Sequence, residues 1–87
     1  MDADNLHSRL NKIMGQIRAI DKMLDDDVRC EEILIQVNAA KSALHKVGQR
    51  LLEDRIDRGV REGIKDGDAE KAVAGFARAI EYFSRIS

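Results

Sequence analysis

Residues 30–52, CEEILIQVNAAKSALHKVGQRLL, carry the pattern that decides the fold. Apolar side chains recur here at every third or fourth position and form one continuous seam: Ile33, Val37, Ala40, Leu44, Val47 and Leu51. This spacing is typical of an α-helix. We expect the helix to run from about Cys30 to about Glu62, a length of about 50 Å. A chain of 87 residues cannot cover so long a seam by itself, so the pattern predicts an antiparallel bundle with a second copy.

The segment before this seam predicts another helix. Its apolar side chains also follow one another at helical spacing: Leu6, Leu10, Ile13, Ile17, Ile20 and Leu24. On a helix they fall within a stripe about 80° wide. The three aspartates at residues 25–27 predict the end of this helix and the cap region of the next.

A third, shorter helix is predicted after residues 63–68, GIKDGD, where two glycines interrupt the pattern. Asp68 is a suitable N-cap, and apolar side chains at helical spacing follow it: Val73, Phe76, Ala77, Ile80 and Phe83. The chain has no proline and only 3% aromatic residues, which favours helices over strands. We therefore expect one all-α domain, residues 1–87, that gains stability by oligomerisation.

The composition excludes several classes of protein. A single cysteine cannot form an internal disulfide framework. The first ten residues, MDADNLHSRL, lack the apolar core of a secretory signal, and no apolar run is long enough for a membrane span, so we expect a cytoplasmic protein. The sequence has neither a glycine-rich phosphate loop nor a nucleophile with a supporting base, so it predicts no enzymatic activity.

The net charge is −1, but the charges are unevenly distributed. Acidic residues surround Arg29, whereas residues 41–52 contain Lys41, Lys46 and Arg50 without any acid. Scattered basic side chains most often form a solvated face, and the alternative is contact with phosphates. The same two interpretations apply to His45, which lies among these cations.

Cys30 lies seven residues before Val37, so we expect it near the start of the long helix, at the edge of the seam. A helix N-terminus and Arg29 favour a reactive thiolate, and the neighbouring acidic residues oppose it. The alternative is a packing cysteine with no chemical role. His7 and His45 are distant in sequence from each other and from Cys30, so the spacing predicts no local metal site.

Two motifs resemble those of the CsoR/RcnR/FrmR family of bacterial transcriptional repressors. Residues 9–20, RLNKIMGQIRAI, are similar to the family signature R-L-x-x-I-x-G-Q-V-x-x-I. The sequence from Met23 to Leu44 is similar to M-L-x(5)-C-x-x-[IV]-L-x-Q-[VI]-x-A-x-x-x-A-[LM]. The resemblance covers about residues 5–83. It implies three-helix protomers that pair through their first two helices, and a short third helix that helps to join dimers into a flat tetramer.

The resemblance implies a repressor that binds operator DNA through a basic face of the tetramer and releases it when an inducer binds. By position it assigns DNA contacts to six residues, with His45 as a further phosphate contact: Arg9, Lys12, Arg18, Lys41, Lys46 and Arg50. Without a helix-turn-helix reader, such binding would rely on phosphates and DNA shape. An alternative from another class is a helical scaffold or interaction protein of the same fold that has lost inducer sensing.

The resemblance also implies an inducer site at Cys30, and here this sequence departs from the family. Metal sensors add two ligands from the long helix of the other protomer, usually His and then Cys or His, at positions that correspond to Arg55 and Gly59. Neither residue is a useful ligand. Persulfide sensors have a second Cys at the position of Gly59, and formaldehyde sensors have a His at that of Arg55.

We therefore expect Cys30 to respond to an inducer without the usual metal-ligand set. If protomers pair as the family resemblance implies, Arg55 would approach Cys30 across the dimer, favour its thiolate and oppose a metal cation. No cofactor is required on this hypothesis. The inducers left open are an electrophile, an oxidant, reactive sulfur and a metal ion, for which Cys30 is the one family-matched ligand.

Overall fold

The computed structural model describes residues 2–86, and their secondary structure is entirely helical. It contains α1 (Ala3–Asp25), α2 (Cys30–Asp66) and α3 (Ala69–Ser84). The predicted all-α class with three helices is confirmed. None of the described helices is both long enough and apolar enough to cross a lipid bilayer.

The helix ends agree with the prediction in part. Helix α1 ends at Asp25 as expected, but α2 begins only at Cys30, directly after Arg29, so the aspartates at residues 25–27 do not supply its N-cap residue. Asp68 caps α3 as expected, because its carboxylate accepts a hydrogen bond from the Lys71 amide at 3.1 Å. The predicted end of α2 near Glu62 is wrong, because the helix continues to Asp66. The chain breaks at Gly67, whose φ of 66° lies in the left-handed region that glycine adopts without steric penalty.

Contacts divide the described chain into two compact units. The N-terminal unit, residues 2–47, comprises α1 and the first half of α2. The C-terminal unit, residues 48–86, comprises the rest of α2 and α3. Helix α2 therefore supplies one packing face to each unit.

The N-terminal unit has a small core between α1 and α2. Leu6, Ile13 and Val47 are buried in it, and Leu10 and Ala43 pack against them. These positions explain why α1 needs its apolar stripe, because burial of each side chain favours the paired helices by about 1.5–3 kcal/mol.

The predicted seam of α2 splits into two rows in the structure. Ala40 and Val47, seven residues apart, are buried. Val37 and Leu44, also seven residues apart, remain 43% and 52% exposed. Seven residues are about two helical turns, so each pair lies along one line of the helix. The spacing places Cys30 on the line of Val37 and Leu44, and the structure leaves Cys30 exposed.

Candidate functional site

An open groove of about 530 Å³ lies between α1 and the first half of α2, within the N-terminal unit. Three cations line it, Arg9, Lys12 and Lys46. We call it the basic groove, because no acidic residue is among its described lining residues, of which the others are Asn5, Ser8, Ile13, Gln16, Ala39, Ser42 and Ala43.

Helical spacing brings these side chains to one face. Asn5, Arg9, Lys12 and Gln16 follow one another at intervals of three or four residues along α1, so they share a side of the helix. The Arg9 Nε donates a hydrogen bond to the Asn5 Oδ1 at 2.9 Å. This contact orients the guanidinium and leaves its other four N–H groups for a ligand, since the group carries five donors.

The cations of the basic groove keep their charge uncompensated. Within residues 2–86, no ion pair involves Arg9, Lys12 or Lys46. Five arginines elsewhere in the described chain form ion pairs with a carboxylate three or four residues away: Arg29–Glu32, Arg50–Glu53, Arg58–Asp54, Arg61–Asp57 and Arg85–Glu81. A cluster of positive charge without acidic partners is suited to a phosphate or another anion.

The structure brings together only part of the predicted DNA-contact set. Arg18 and Lys41 are exposed but lie outside the lining of the basic groove. His45 is half-buried and engages an interaction partner. Arg50 belongs to the C-terminal unit, where its guanidinium lies 3.9 Å from the Glu53 carboxylate.

Sequence reasoning missed the neutral polar residues of the groove. Asn5, Ser8 and Gln16 offer amide and hydroxyl groups beside the cations. The available signal was their helical spacing from Arg9 and Lys12, which places all five on one flank of the apolar stripe.

Cys30 is the first residue of α2, and its thiol is exposed. The neighbouring Arg29 directs its guanidinium to the Glu32 carboxylate at 3.5 Å. Among residues 2–86, no group of three or more His, Cys, Asp or Glu side chains could hold a metal ion. The donors of one chain therefore do not fit a copper or nickel centre, which takes three or four soft or imidazole ligands.

Arg55 is half-buried, and its guanidinium packs against α3 of its own chain. The group lies so close to Gly75 that a Cβ atom there would collide with the Nη2 atom. A Cβ atom at Gly59 would lie 3.2 Å from the Arg55 Nη1 atom and 2.6 Å from the Phe76 Cδ1 atom. The approach of Arg55 to Cys30 of a second copy stays a prediction.

Comparison with known proteins gives a consistent result. Residues 2–84 match the family described as metal-sensitive transcriptional repressor. The copper-sensing transcriptional repressor CsoR of Bacillus subtilis (strain 168) is 34% identical over 84 residues, which are 97% of this chain and 83% of that protein. The copper-sensing transcriptional repressor RicR of Mycobacterium tuberculosis is 36% identical over 83 residues, covering 88% of this chain and 86% of RicR.

Solved structures agree with the sequence relatives. The nickel-responsive transcriptional regulator InrS superimposes with a TM-score of 0.92 at 30% identity, over 95% of this chain and 93% of InrS. The copper-sensing repressor CsoR with Cu(I) from Geobacillus thermodenitrificans NG80-2 gives a TM-score of 0.80 at 34% identity, over 93% of this chain and 84% of that one.

Proposed function

The chain belongs to the metal-sensitive transcriptional repressor family, and from that premise we propose that it binds operator DNA through the basic groove of its N-terminal unit. The predicted family is confirmed, and so is the prediction that the chain is not an enzyme, because this is a family of transcriptional repressors. We treat residues 1–87 as one repressor domain that acts on DNA in the cytoplasm.

The observation that carries the proposal is the uncompensated charge of the groove. Arg9, Lys12 and Lys46 converge from two helices on one open surface without an acidic neighbour in its lining. Duplex DNA presents a regular array of phosphates, and each cation that neutralises one releases condensed counterions. Asn5, Ser8 and Gln16 can donate further hydrogen bonds to phosphate oxygens.

The exposed apolar row of α2 supports assembly of the repressor from several copies. Val37, Leu44 and Leu51 are between 43% and 52% exposed and follow one another at intervals of seven residues. We propose that a second copy covers this row in an antiparallel dimer, and that dimers join into a tetramer. Each copy would then add one basic groove to the surface that contacts DNA.

We propose that Cys30 is the inducer site. Its thiol is exposed in the single chain, and it lies at the start of α2, seven residues before Val37, at the end of the row that the second copy would cover. The named relatives sense copper or nickel, but the described residues of this chain offer no cluster of metal donors. An electrophile, an oxidant or a reactive sulfur species fits a single thiol better, since the thiolate itself is the nucleophile.

DNA binding is tested with a matched pair of lysines on α1. Lys12 lines the basic groove, whereas Lys22 is exposed on the same helix outside the groove. The wild type should bind the DNA upstream of its own gene with nanomolar affinity that falls steeply between about 50 and about 200 mM salt. Lys12→Gln should weaken binding. It should also make the slope of log affinity against log salt concentration shallower by about 0.9 for each phosphate that is no longer neutralised. Lys22→Gln should change neither the affinity nor this slope.

Equal, weak binding of the wild type to any duplex would contradict the proposal and favour the scaffold alternative. If Lys12→Gln and Lys22→Gln change the DNA affinity equally, the chain still binds DNA but the basic groove is not the surface that contacts it.

The inducer is tested by release of the bound DNA. Cu(I), Ni(II), formaldehyde and polysulfide are added separately to the complex, with Cys30→Ala as the control. We expect polysulfide or formaldehyde to release DNA from the wild type and not from Cys30→Ala. Release from both proteins alike would show that Cys30 is not the sensor.

A further inference from the structure

Helix α3 packs closely on the second half of α2 at glycines, whose missing side chains leave notches in the surface of α2. Gly59 and Gly63 lie one helical turn apart on the same face of α2, and both are buried. A Cβ atom at Gly63 would lie 2.9 Å from the Cβ atom of Ala72. Real Cβ atoms do not approach so closely, so glycine at these positions is what allows this helix packing.

Two larger side chains fill the space that the glycines leave. The Phe76 ring occupies the notch at Gly59, where an added Cβ atom would lie 2.6 Å from its Cδ1 atom. The Arg55 guanidinium lies over Gly75, where an added Cβ atom would collide with it. Glycine inside a helix is less favourable than alanine, so these contacts must compensate for the glycines that permit them.

We propose that Arg55 and Phe76 form a clamp between α2 and α3 that closes the two family metal-donor positions, so that neither Cu(I) nor Ni(II) is an inducer of this chain. The inference rests on the proposed function, because positions 55 and 59 are the ones that the family resemblance assigns to metal ligands. It deepens that function by excluding the inducers that the relatives' names suggest.

Position 59 is closed by a steric conflict with the Phe76 ring. A sulfur, imidazole or carboxylate donor at this position would first need a Cβ atom, and the Phe76 Cδ1 atom lies only 2.6 Å from where that atom would be. The ring would have to rotate out of the notch before any donor could be accommodated. The glycine that permits the packing of α3 on α2 therefore also leaves position 59 without a donor side chain.

Position 55 lacks a metal donor because its side chain is an arginine. Arginine keeps its positive charge at any physiological pH and has no lone pair to offer a metal ion. Contact with Gly75 and Gly59 places the guanidinium beside position 59. The groove that Arg55 lines also contains Glu62, Asp66 and Asp68, so what closes position 55 to a metal is the lack of a donor atom and not charge repulsion.

The test measures metal binding directly, on the full chain, in competition with a chromophoric chelator for Cu(I) and separately for Ni(II). Wild type and Cys30→Ala should compete equally poorly, and one equivalent of either metal should change the melting temperature of the wild type by less than about 2 °C. One tightly held metal ion per chain, or a larger rise in melting temperature, would overturn the clamp proposal.

Two variants test the steric conflict at position 59. Arg55→His/Gly59→Cys supplies both family donors, and Arg55→His/Gly59→Cys/Phe76→Ala also clears the notch. The triple variant should bind Cu(I) at least about tenfold more tightly than the double variant, provided that circular dichroism shows both to be helical. If the double variant already binds as tightly as the triple, Phe76 is not an obstacle and the clamp is refuted.

These outcomes are independent of DNA binding. A chain that ignores both metals but fails to bind its upstream DNA would contradict the proposed function and leave the clamp intact. A chain that binds DNA and takes up Cu(I) would support the proposed function and contradict the clamp.

Discussion

The two units of this chain manage their charges in different ways. In the C-terminal unit, Arg50, Arg58, Arg61 and Arg85 each lie within 3.9 Å of a carboxylate three or four residues away in the chain. In the described N-terminal unit, the one such pair is Arg29–Glu32, and the three cations of the basic groove are unpaired. Exposed ion pairs contribute only about 0–1 kcal/mol each, so their main effect is to neutralise a surface. Cations such as Lys41 and Lys71 are also outside these ion pairs, but Lys71 lines a groove with acidic residues, whereas the basic groove has no acidic residue in its described lining. The basic groove is therefore the better surface for a polyanion.

The units also differ in what their glycines do. Gly15, in α1, has no neighbouring atom within 4 Å of an added Cβ atom. Gly59 and Gly63, in the C-terminal unit, would each bring an added Cβ atom to within 3.0 Å of α3. The first glycine is not needed for packing within this chain, whereas the other two are. Alanine at Gly15 and alanine at Gly59 or Gly63 should therefore change the free energy of unfolding in opposite directions.

Removal of the groove charges should have the largest effect of all. We expect the triple substitution Arg9→Ala/Lys12→Ala/Lys46→Ala to weaken operator binding at least about 100-fold near 100 mM salt, because no copy in the assembly can then neutralise phosphates through its groove. The matched control is Arg58→Ala/Arg61→Ala/Arg85→Ala, which removes the same number of cations from ion pairs in the C-terminal unit.

The control should change the affinity less than about threefold, as measured by fluorescence anisotropy with labelled DNA. Equal reductions in affinity in both triple variants would mean that the net charge of the chain governs binding. In that case the distinction between the two units would have no functional meaning.

A smaller effect is expected from the core of the N-terminal unit. Ile13→Ala should lower the free energy of unfolding by about 2–4 kcal/mol, because Ile13 is only 4% exposed and packs between α1 and α2. Leu24→Ala on the same helix is the control, since Leu24 is 65% exposed, and its destabilisation should be below about 1 kcal/mol. Urea unfolding at one fixed protein concentration measures both.

If the second copy covers Leu24, the destabilisation by Leu24→Ala will shrink as the protein concentration is lowered, because the contact contributes only while the copies are associated. A destabilisation by Leu24→Ala as large as that by Ile13→Ala at every concentration would show that the small core is not the stabilising centre of its unit.

The fold followed from the sequence because helical spacing and caps are local signals. Asp68 illustrates this, since its role depends only on the Lys71 amide three residues away. Gly63 illustrates the limit: the sequence predicts a break there, but contact with Ala72 of α3 gives the glycine a packing role inside α2. No local pattern carries that information.

The residues of the candidate site were likewise predictable only where their placement depends on a single helix. Arg9 and Lys12 were placed together by their spacing on one flank of the apolar stripe. Lys46 joins them only because α2 packs beside α1, and Arg50 is not among the lining residues of the groove. The departure at Arg55 was visible in the sequence, but the packing of its guanidinium on Gly75 depends on the tertiary structure.

The smallest expected effects come from the glycines, and they should have opposite signs. Gly59→Ala should lower the free energy of unfolding by about 1–3 kcal/mol, because its Cβ atom must displace the Phe76 ring. Gly15→Ala should raise it by about 0.5–1 kcal/mol, because alanine is the better helix former and nothing stands within 4 Å.

A double-mutant cycle separates steric conflict from a general effect of the substitution. Phe76→Ala removes the ring that Gly59→Ala would strike, so the double variant should be more stable than the sum of the two single destabilisations predicts. Additive destabilisations would mean that the ring rotates away freely and that glycine at position 59 is not required for the packing. The two glycines would then differ only in helix propensity, and the contrast between the units would rest on their charges alone.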